Sequence, residues 1–258
     1  MYYLSILAIF KNETMGLKLW IEHYLWQGVD HFYLIDNGST DNPLDILQTY
    51  IDNGIVTYVS LPERHKQSEH YRYVFDKFNL KRNTFWLAIC DLDEYFYGVD
   101  NLLTKKLKSL ENCFDYILCN WIMFGSNGNE KQPEDIRVAL TKCAKEMSTY
   151  TKYIFKTNAI RSSASIWVHH LLDVPYIPLK RIRVANKLIR LNHYPTQSLE
   201  YFTTVKMTRG DSYWPSCDNI RDMDYFKRYE FNDIEDNTLK NLVLNRNAGI
   251  SQTNDENS

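Results

Sequence analysis

Glycine and proline are sparse in this chain, 9 and 7 of 258 residues, and none of the glycines forms a phosphate loop. Neither Gly-x-x-x-x-Gly-Lys-Ser/Thr nor Gly-x-Gly-x-x-Gly occurs, which removes P-loop hydrolysis and the dinucleotide fingerprint. Gly-x-Ser-x-Gly and His-Glu-x-x-His are missing too, so serine-hydrolase and zinc-protease chemistries have no foothold. Cysteines at 90, 113, 119, 143 and 217 are odd in number, with no Cys-x-x-Cys pair. That excludes a disulfide framework and a thiolate zinc site, and favours a reducing compartment. A net charge of −2 leaves no electrostatic footprint for nucleic acid. No apolar run is long enough to span a bilayer. Tyr2 to Phe10 is apolar but short, lacks a basic leader and stops at Lys11-Asn12-Glu13. The expected location is the cytoplasm.

What is present describes a globular protein with a sizeable core: 44% hydrophobic and 24% charged residues. The length suits one large α/β domain, with or without an appendage. Aromatic content is high, with 19 Tyr and 6 Trp. Such side chains suit sugar-binding clefts, and equally a tyrosine-rich core and surface.

Apolar runs at Tyr2–Phe10, His31–Ile35, Ile55–Leu61 and Phe85–Cys90 read as strands. Between them, helices are expected over Thr14–Gln27, from Pro43 to Asn53-Gly54, and from about Ser68 to Phe78. Strand and helix alternate, which predicts a mostly parallel, Rossmann-like sheet with helices on both faces and right-handed crossovers. Asn12/Glu13, the loop Asp36-Asn37-Gly38-Ser39-Thr40-Asp41 and Asp91-Leu92-Asp93-Glu94 each follow a strand. They would therefore converge where open α/β sheets bind ligands. Beyond Tyr97 the pattern loosens. A helix over Leu102–Leu110 and strands at Tyr116–Cys119, Tyr153–Phe155, Ile166–His170 and Leu188–Leu191 are expected. Residues 127–150 read as a loop or lid, 223–231 and 235–245 as helices, and the chain from about Ile250 as a disordered tail.

The acidic cluster carries the strongest chemical signal. On a continued strand Asp91 and Asp93 would share a face, and two like charges there need a cation or a proton between them. Carboxylates plus a substrate diphosphate suffice for Mg²⁺ or Mn²⁺, and the imidazole of His193 could complete the site. The bland alternative is a solvated acidic turn. Of the adjacent His169 and His170, strand geometry would let only one face the site. Lys206 and Arg209 would share a helical face and could neutralise a leaving diphosphate, or simply be solvated.

Several stretches together resemble glycosyltransferase family 92 and its family-2-like relatives. They are Ala8-Ile9-Phe10-Lys11-Asn12-Glu13, Trp20-Ile21-Glu22-His23-Tyr24, Gly28-Val29-Asp30-His31-Phe32-Tyr33, the Asp36–Asp41 loop and Asp91-Leu92-Asp93-Glu94-Tyr95-Phe96. Trp121 with Phe124-Gly125-Ser126, Asn192-His193-Tyr194, Ser198 and Lys206-x-x-Arg209-Gly210 continue the match in order. Where this chain has Gln197, the family often has lysine.

The resemblance implies a GT-A fold, taken over residues 1–215; it does not cover the chain beyond, where the residues themselves lead to the expectation of a C-terminal helical extension and disordered tail over 216–258. It implies transfer of a sugar, galactose or another hexose, from a UDP-sugar to a glycan acceptor, with inversion as in characterised relatives. Asn12, Glu13, Asp36 and Asn37 would line the nucleotide pocket. Asp91 and Asp93 would hold Mn²⁺ or Mg²⁺ on the diphosphate, with His193 as third ligand and Lys206 and Arg209 nearby. Inversion needs a general base, for which Asp211, Glu130 and His170 are the candidates. A cell-surface glycan such as lipooligosaccharide or capsule is the expected acceptor, reached in the cytoplasm or at the cytoplasmic face of the inner membrane. Peripheral membrane contact is left open, and no nucleic-acid partner is expected. The other readings are a non-catalytic nucleotide- or glycan-binding protein and a sugar nucleotidyltransferase.

Overall fold

The computed structural model describes residues 1–172, 174, 176–217 and 221–255. Its first half alternates as the apolar pattern predicts. Strands β1 (Tyr2–Phe10), β2 (His31–Asp36), β3 (Val56–Ser60) and β4 (Thr84–Ile89) lie parallel in the order β3-β2-β1-β4. Helices α1 (Thr14–Trp26), α2 (Leu44–Asp52) and α3 (Gln67–Lys77), with the short α4 (Leu80–Asn83), connect them. Side-chain alternation explains why β1 is a continuous apolar run. Leu4, Ile6, Ala8 and Phe10 join a core with Leu17, Trp20, Ile21 and Tyr24 of α1. Leu7 and Ile9 join the opposite core with Tyr71, Val74 and Phe75 of α3.

The second half is less regular. It contains β5 (Glu94–Gly98), α5 (Leu103–Leu110), β6 (Tyr116–Met123), α6 (Ile136–Ala139), β7 (Lys142–Cys143), β8 (Thr151–Lys156), β9 (Ile182–Val184) and β10 (Ile189–His193). The sheet continues β4-β8-β6-β10-β5, with β9 beside β6. β8 runs antiparallel to β4 and β6, and β5 antiparallel to β10; the other pairings are parallel. The result is the expected α/β protein with a mostly parallel sheet flanked by helices.

Two local expectations need correction. β4 ends at Ile89, and β5 begins at Glu94, a strand that sequence reasoning missed. Asp91–Asp93 form the turn between them, closed by Glu94 N–H donating to the Asp91 carbonyl at 3.1 Å. Asp91 and Asp93 are therefore not two positions of one strand, and strand alternation does not set their directions. Ile166–His170 is likewise no strand, only a single bridge from Ile166 to Leu171.

The chain then forms α7 (Leu199–Tyr201), a π-helical turn (Phe202–Lys206) and α8 (Met207–Arg209) in succession. α9 (Met223–Arg228), β11 (Ile234–Glu235) and α10 (Thr238–Asp255) follow. β11 pairs with β7, and Leu239 and Val243 of α10 are buried in the same core as α1. Glu230 accepts from the backbone N–H and hydroxyl of Ser126 at 2.8 and 2.7 Å. Residues 127–150 are thus largely pinned beneath the C-terminal segment, and of them only Tyr150 reaches the cleft described next. α10 runs through the start of the expected disordered tail; residues 256–258 lie outside the described residues. Among the described residues no helix is long and apolar enough to cross a membrane.

Candidate functional site

A cleft of about 520 Å³ opens at the carboxyl ends of the parallel strands. Phe10, Lys11 and Glu13 enter it after β1, Asn37 after β2, Asp91 and Asp93 after β4, and His193 at the end of β10. α1 fixes the acidic turn from below. Trp20 Nε1 donates to the carbonyls of Asp91 and Glu94, both at 3.1 Å. Tyr24 Oη donates to the Glu94 carbonyl at 2.9 Å, and His23 Nε2 contacts the Phe96 carbonyl at 2.8 Å. The Trp20–Tyr24 motif is thus a cradle for the backbone of the acidic turn, set by helical spacing.

The turn's negative charge is met by cations from distant sequence. Lys152, the second residue of β8, is fully buried. Because β8 runs against β4, its start lies beside the end of β4. Its ammonium stands 2.8 Å from Asp91 Oδ2 and 3.7 Å from Glu94 Oε2. Asp93 Oδ2 is ion-paired with Lys206 and lies 3.4 Å from His193 Nε2. Glu13 is ion-paired with Arg209 and accepts from Tyr201 Oη at 2.7 Å.

These neighbours decide protonation. Burial alone would raise the Asp93 pKa, but Lys206, His193 and Arg209 hold it well below the ordinary carboxylate range. Burial pushes the Glu94 carboxyl well above the ordinary carboxylate range; Lys152 opposes this, while Asp91 and Asp93 add to it. Its Oε1 is buried without a partner, which is cheaper for a neutral acid than for a carboxylate. Burial would lower Lys152, but Asp91 and Glu94 hold its ammonium charged. Burial and Arg209 lower Lys206, against the pull of Asp93 and Glu13.

The donor set suits a hard divalent cation. One donor atom each from Asp93, Glu94 and His193 lie within 4.8 Å of one another. Asp91 Oδ1, Glu94 Oε1 and His193 Nδ1 are buried without hydrogen-bond partners. Carboxylate oxygens with one imidazole are appropriate to Mn²⁺, and the carboxylates to Mg²⁺. This cluster contains Asp93 and His193 of the expected ligands, but Glu94 rather than Asp91, which pairs with Lys152.

Other expected site residues are distributed unevenly. Glu13, Asn37, Lys206, Arg209 and Asp211 line the cleft; Asn12, Asp36, Glu130 and His170 are not in its lining. Asn12 (φ 54) instead clasps the neighbouring loop, its Oδ1 accepting from Thr40 N–H at 2.8 Å. Asp36 accepts from Ser39 N–H at 2.7 Å and from Tyr58 Oη at 2.6 Å. Glu130 is exposed, and exposed His170 sits against Trp167 at 4.8 Å. Asp211 Oδ1 accepts from the N–H groups of Tyr213 and Trp214 at 2.8 and 2.7 Å, and its Oδ2 pairs with Arg221 at 2.9 Å. Its carboxylate is engaged in shaping the loop. Gln197 is buried and hydrogen-bonded to Gln132, away from the cleft lining.

Sequence reasoning missed Lys152 and an aromatic wall of Trp121, Tyr150, Trp167, Tyr213 and Trp214. Of the adjacent pair it named His170 as a candidate base, whereas His169 is the one that lines the cleft. Burial and nearby Lys152 lower the His169 pKa to about 4, so its imidazole is neutral at physiological pH. A lysine beside Tyr153–Phe155 carries no sign in sequence of the carboxylates it will meet.

A family model described as glycosyltransferase family 92 matches residues 4–242. Similar curated proteins include a glycosyltransferase family 92 protein of Ricinus communis, 24% identical and covering 94% of this chain and 46% of the relative. Another, from Oryza sativa subsp. japonica, is 20% identical and covers 86% of this chain and 38% of its own. The chain thus spans less than half the length of these relatives. Among solved structures, S. aureus TarS 1-349 in complex with UDP aligns at TM-score 0.46 with 12% identity, over 78% of this chain and 62% of that one. GalNAc-T7 with UDP, GalNAc and Mn²⁺ aligns at TM-score 0.41 with 10% identity, over 75% and 43%. Structural similarity at that level assigns no function.

Proposed function

This chain belongs to glycosyltransferase family 92, and from that premise we propose that it is a metal-dependent, inverting hexosyltransferase. It moves a sugar, galactose favoured, from a UDP-sugar to a glycan acceptor, with a cell-surface glycan such as lipooligosaccharide or capsule as the expected class. The observation that carries this reading is the meeting of Asp91, Asp93 and His193 with Lys206 and Arg209 in one cleft, with Glu94 buried behind Asp93 and His193. Acids that can hold a cation and bases that can hold a diphosphate are what a nucleotide-sugar donor requires.

In this reading Asp93 and His193 hold Mn²⁺ or Mg²⁺, with Asp91 and Glu94 completing the acidic floor. When bound, the cation supplies Lewis-acid stabilisation to the departing diphosphate. Lys206 and Arg209 donate to its oxygens, leaving Asp93 and Glu13 as they do so. Asn37 and Glu13 border the nucleotide, and Asn12 and Asp36 shape that border by fixing the loops. Asp211, the one expected base that lines the cleft, has both oxygens engaged and acts by positioning the 211–214 loop. Residues 1–215 form the transfer unit, and the C-terminal extension braces it.

The test is incubation with UDP-galactose, UDP-glucose and UDP-N-acetyl sugars, with Mn²⁺ and varied glycan acceptors, while UDP release is measured. Release is expected with at least one donor, and none with any of them overturns the reading. Pyrophosphate in place of UDP would identify a nucleotidyltransferase, and tight UDP binding without turnover a binding protein. Asp93→Ala is expected to abolish Mn²⁺-dependent UDP binding; unchanged binding by calorimetry removes Asp93 from the site.

A further inference from the structure

The ion-paired residues and the aromatic residues of the cleft meet where the Trp121 ring lies 4.4 Å from His193. Glu13, Asp93, Lys206 and Arg209 make one ion-paired group. Trp121, Tyr150, Trp167, Tyr213 and Trp214 make the wall, which takes three of the chain's 6 tryptophans. Its rings hold one another in place. Trp167 Nε1 donates to Tyr213 Oη at 2.9 Å, and Trp121 lies 5.5 Å from Tyr150. Tyr213 and Trp214 meet edge to face at 4.8 Å and 82°. Both of their backbone N–H groups are held by Asp211.

Two of these rings remain open to solvent: Tyr150 is 60% exposed and Trp214 is 56% exposed. Large aromatic surfaces gathered in a concave site mark a place where a ligand covers them. Charge, together with the nucleotide's border at Asn37 and Glu13, narrows the ligand's chemistry. An anionic diphosphate belongs with Lys206 and Arg209, which leaves the aromatic wall for an uncharged group. A pyranose ring has that character, with C–H bonds on its faces and hydroxyls on its rim. Its weakly positive C–H face matches the negative face of an aromatic ring.

We propose that this aromatic wall is an acceptor subsite that binds a neutral pyranose ring of the acceptor glycan, with Trp214 as its outer platform. The proposal rests on the transferase reading above and adds to it the location and chemistry of the acceptor. Asp211 is the positioning residue that sets the platform.

Saturation-transfer NMR on the full chain with Mn²⁺, with and without UDP, tests it. The probes are methyl β-D-galactopyranoside, methyl β-D-glucopyranoside and lactose, none of which carries an aromatic group of its own. Saturation of ring C–H protons is expected for at least one sugar. Trp214→Ala, at a position 56% exposed, is expected to weaken that sugar about tenfold, the loss of roughly half a ring's contact area. Its UDP dissociation constant, read by calorimetry, is expected to stay within about twofold of the original. Trp167→Phe, which keeps a ring but loses the bond to Tyr213, is expected to weaken the sugar less. No saturation of any of the three sugars overturns the proposal, as does an unchanged signal in Trp214→Ala. A parallel loss of UDP affinity also overturns it, because the wall would then hold the base. Failure of UDP to bind the unaltered protein, with sugar saturation intact, would overturn the transferase reading instead.

Discussion

The two halves of this protein meet in ion pairs whose acids come from the first half and whose cations come from the second. The parallel half, up to and just past β4, supplies the carboxylates of Glu13, Asp91 and Asp93 from loops that follow strands. The later half supplies Lys152, Lys206 and Arg209, and its β10 ends on His193. In the first half a strand simply delivers its final residues to the sheet edge. In the second, strand direction matters: β8 is reversed, so its beginning rather than its end arrives there. The comparison teaches that acids close in sequence need not be held apart by a metal alone. Each has a cation assigned to it by the fold.

The largest expected effect is at the contact that joins the halves most deeply. Lys152→Met removes the buried ammonium and leaves Asp91 and Glu94 without it. A loss of about 3–5 kcal/mol in urea unfolding is expected, since breaking a buried pair strands its partner. A change under about 1 kcal/mol would break the view that Lys152 balances the turn.

His23 of α1 sits at the same seam, its Nε2 on the Phe96 carbonyl of β5. Burial, with smaller contributions from Arg137 and Arg246, lowers its pKa to about 3. A depressed histidine is neutral in the fold but charges in the unfolded chain. Its share of stability is therefore present above pH about 6.5 and is lost as pH falls toward about 3. The full loss would be up to about 5 kcal/mol. His23→Gln is expected to flatten that part of the pH profile of thermal unfolding; an unaltered slope assigns the acid sensitivity elsewhere.

Lys206→Met separates the two jobs assigned to that ammonium. Freed of it, Asp93 is expected to take Mn²⁺ about tenfold more tightly, while UDP with Mn²⁺ held saturating binds about tenfold more weakly. If calorimetry shows both ligands moving in the same direction, Lys206 is not shared between carboxylate and diphosphate. Smallest of all is Asp211→Asn, which keeps an oxygen for Tyr213 and Trp214 and loses the pair with Arg221. Under about 1 kcal/mol of stability is expected to go, with kcat falling less than about tenfold. A drop of a thousandfold or more would make it the general base after all.

Much of the first half was legible in sequence because its signals are local. β1 alternates between two buried faces, α1 carries apolar residues at helical spacing, and turn formers follow β2. The acidic turn was legible as chemistry but not as shape. Reading Phe85–Cys90 as a strand that simply ends at the acids hid β5, because the Asp-Leu-Asp turn is followed at once by a second short run, Glu94–Gly98. Asn12 and Asp36 stood out as polar residues at the right edge, yet their oxygens serve backbone groups of adjoining loops.

By itself, then, the sequence determined the α/β class, the edge where polar loops gather and the identity of the acids, since each depends on neighbours a few residues away. Only the tertiary structure decided which cation meets which acid, that Glu94 rather than Asp91 joins Asp93 and His193, and that the tryptophans at 121, 167 and 214 share one wall. Those pairings span tens to nearly two hundred residues, and the direction of β8 that creates the deepest of them leaves no mark on its own six residues.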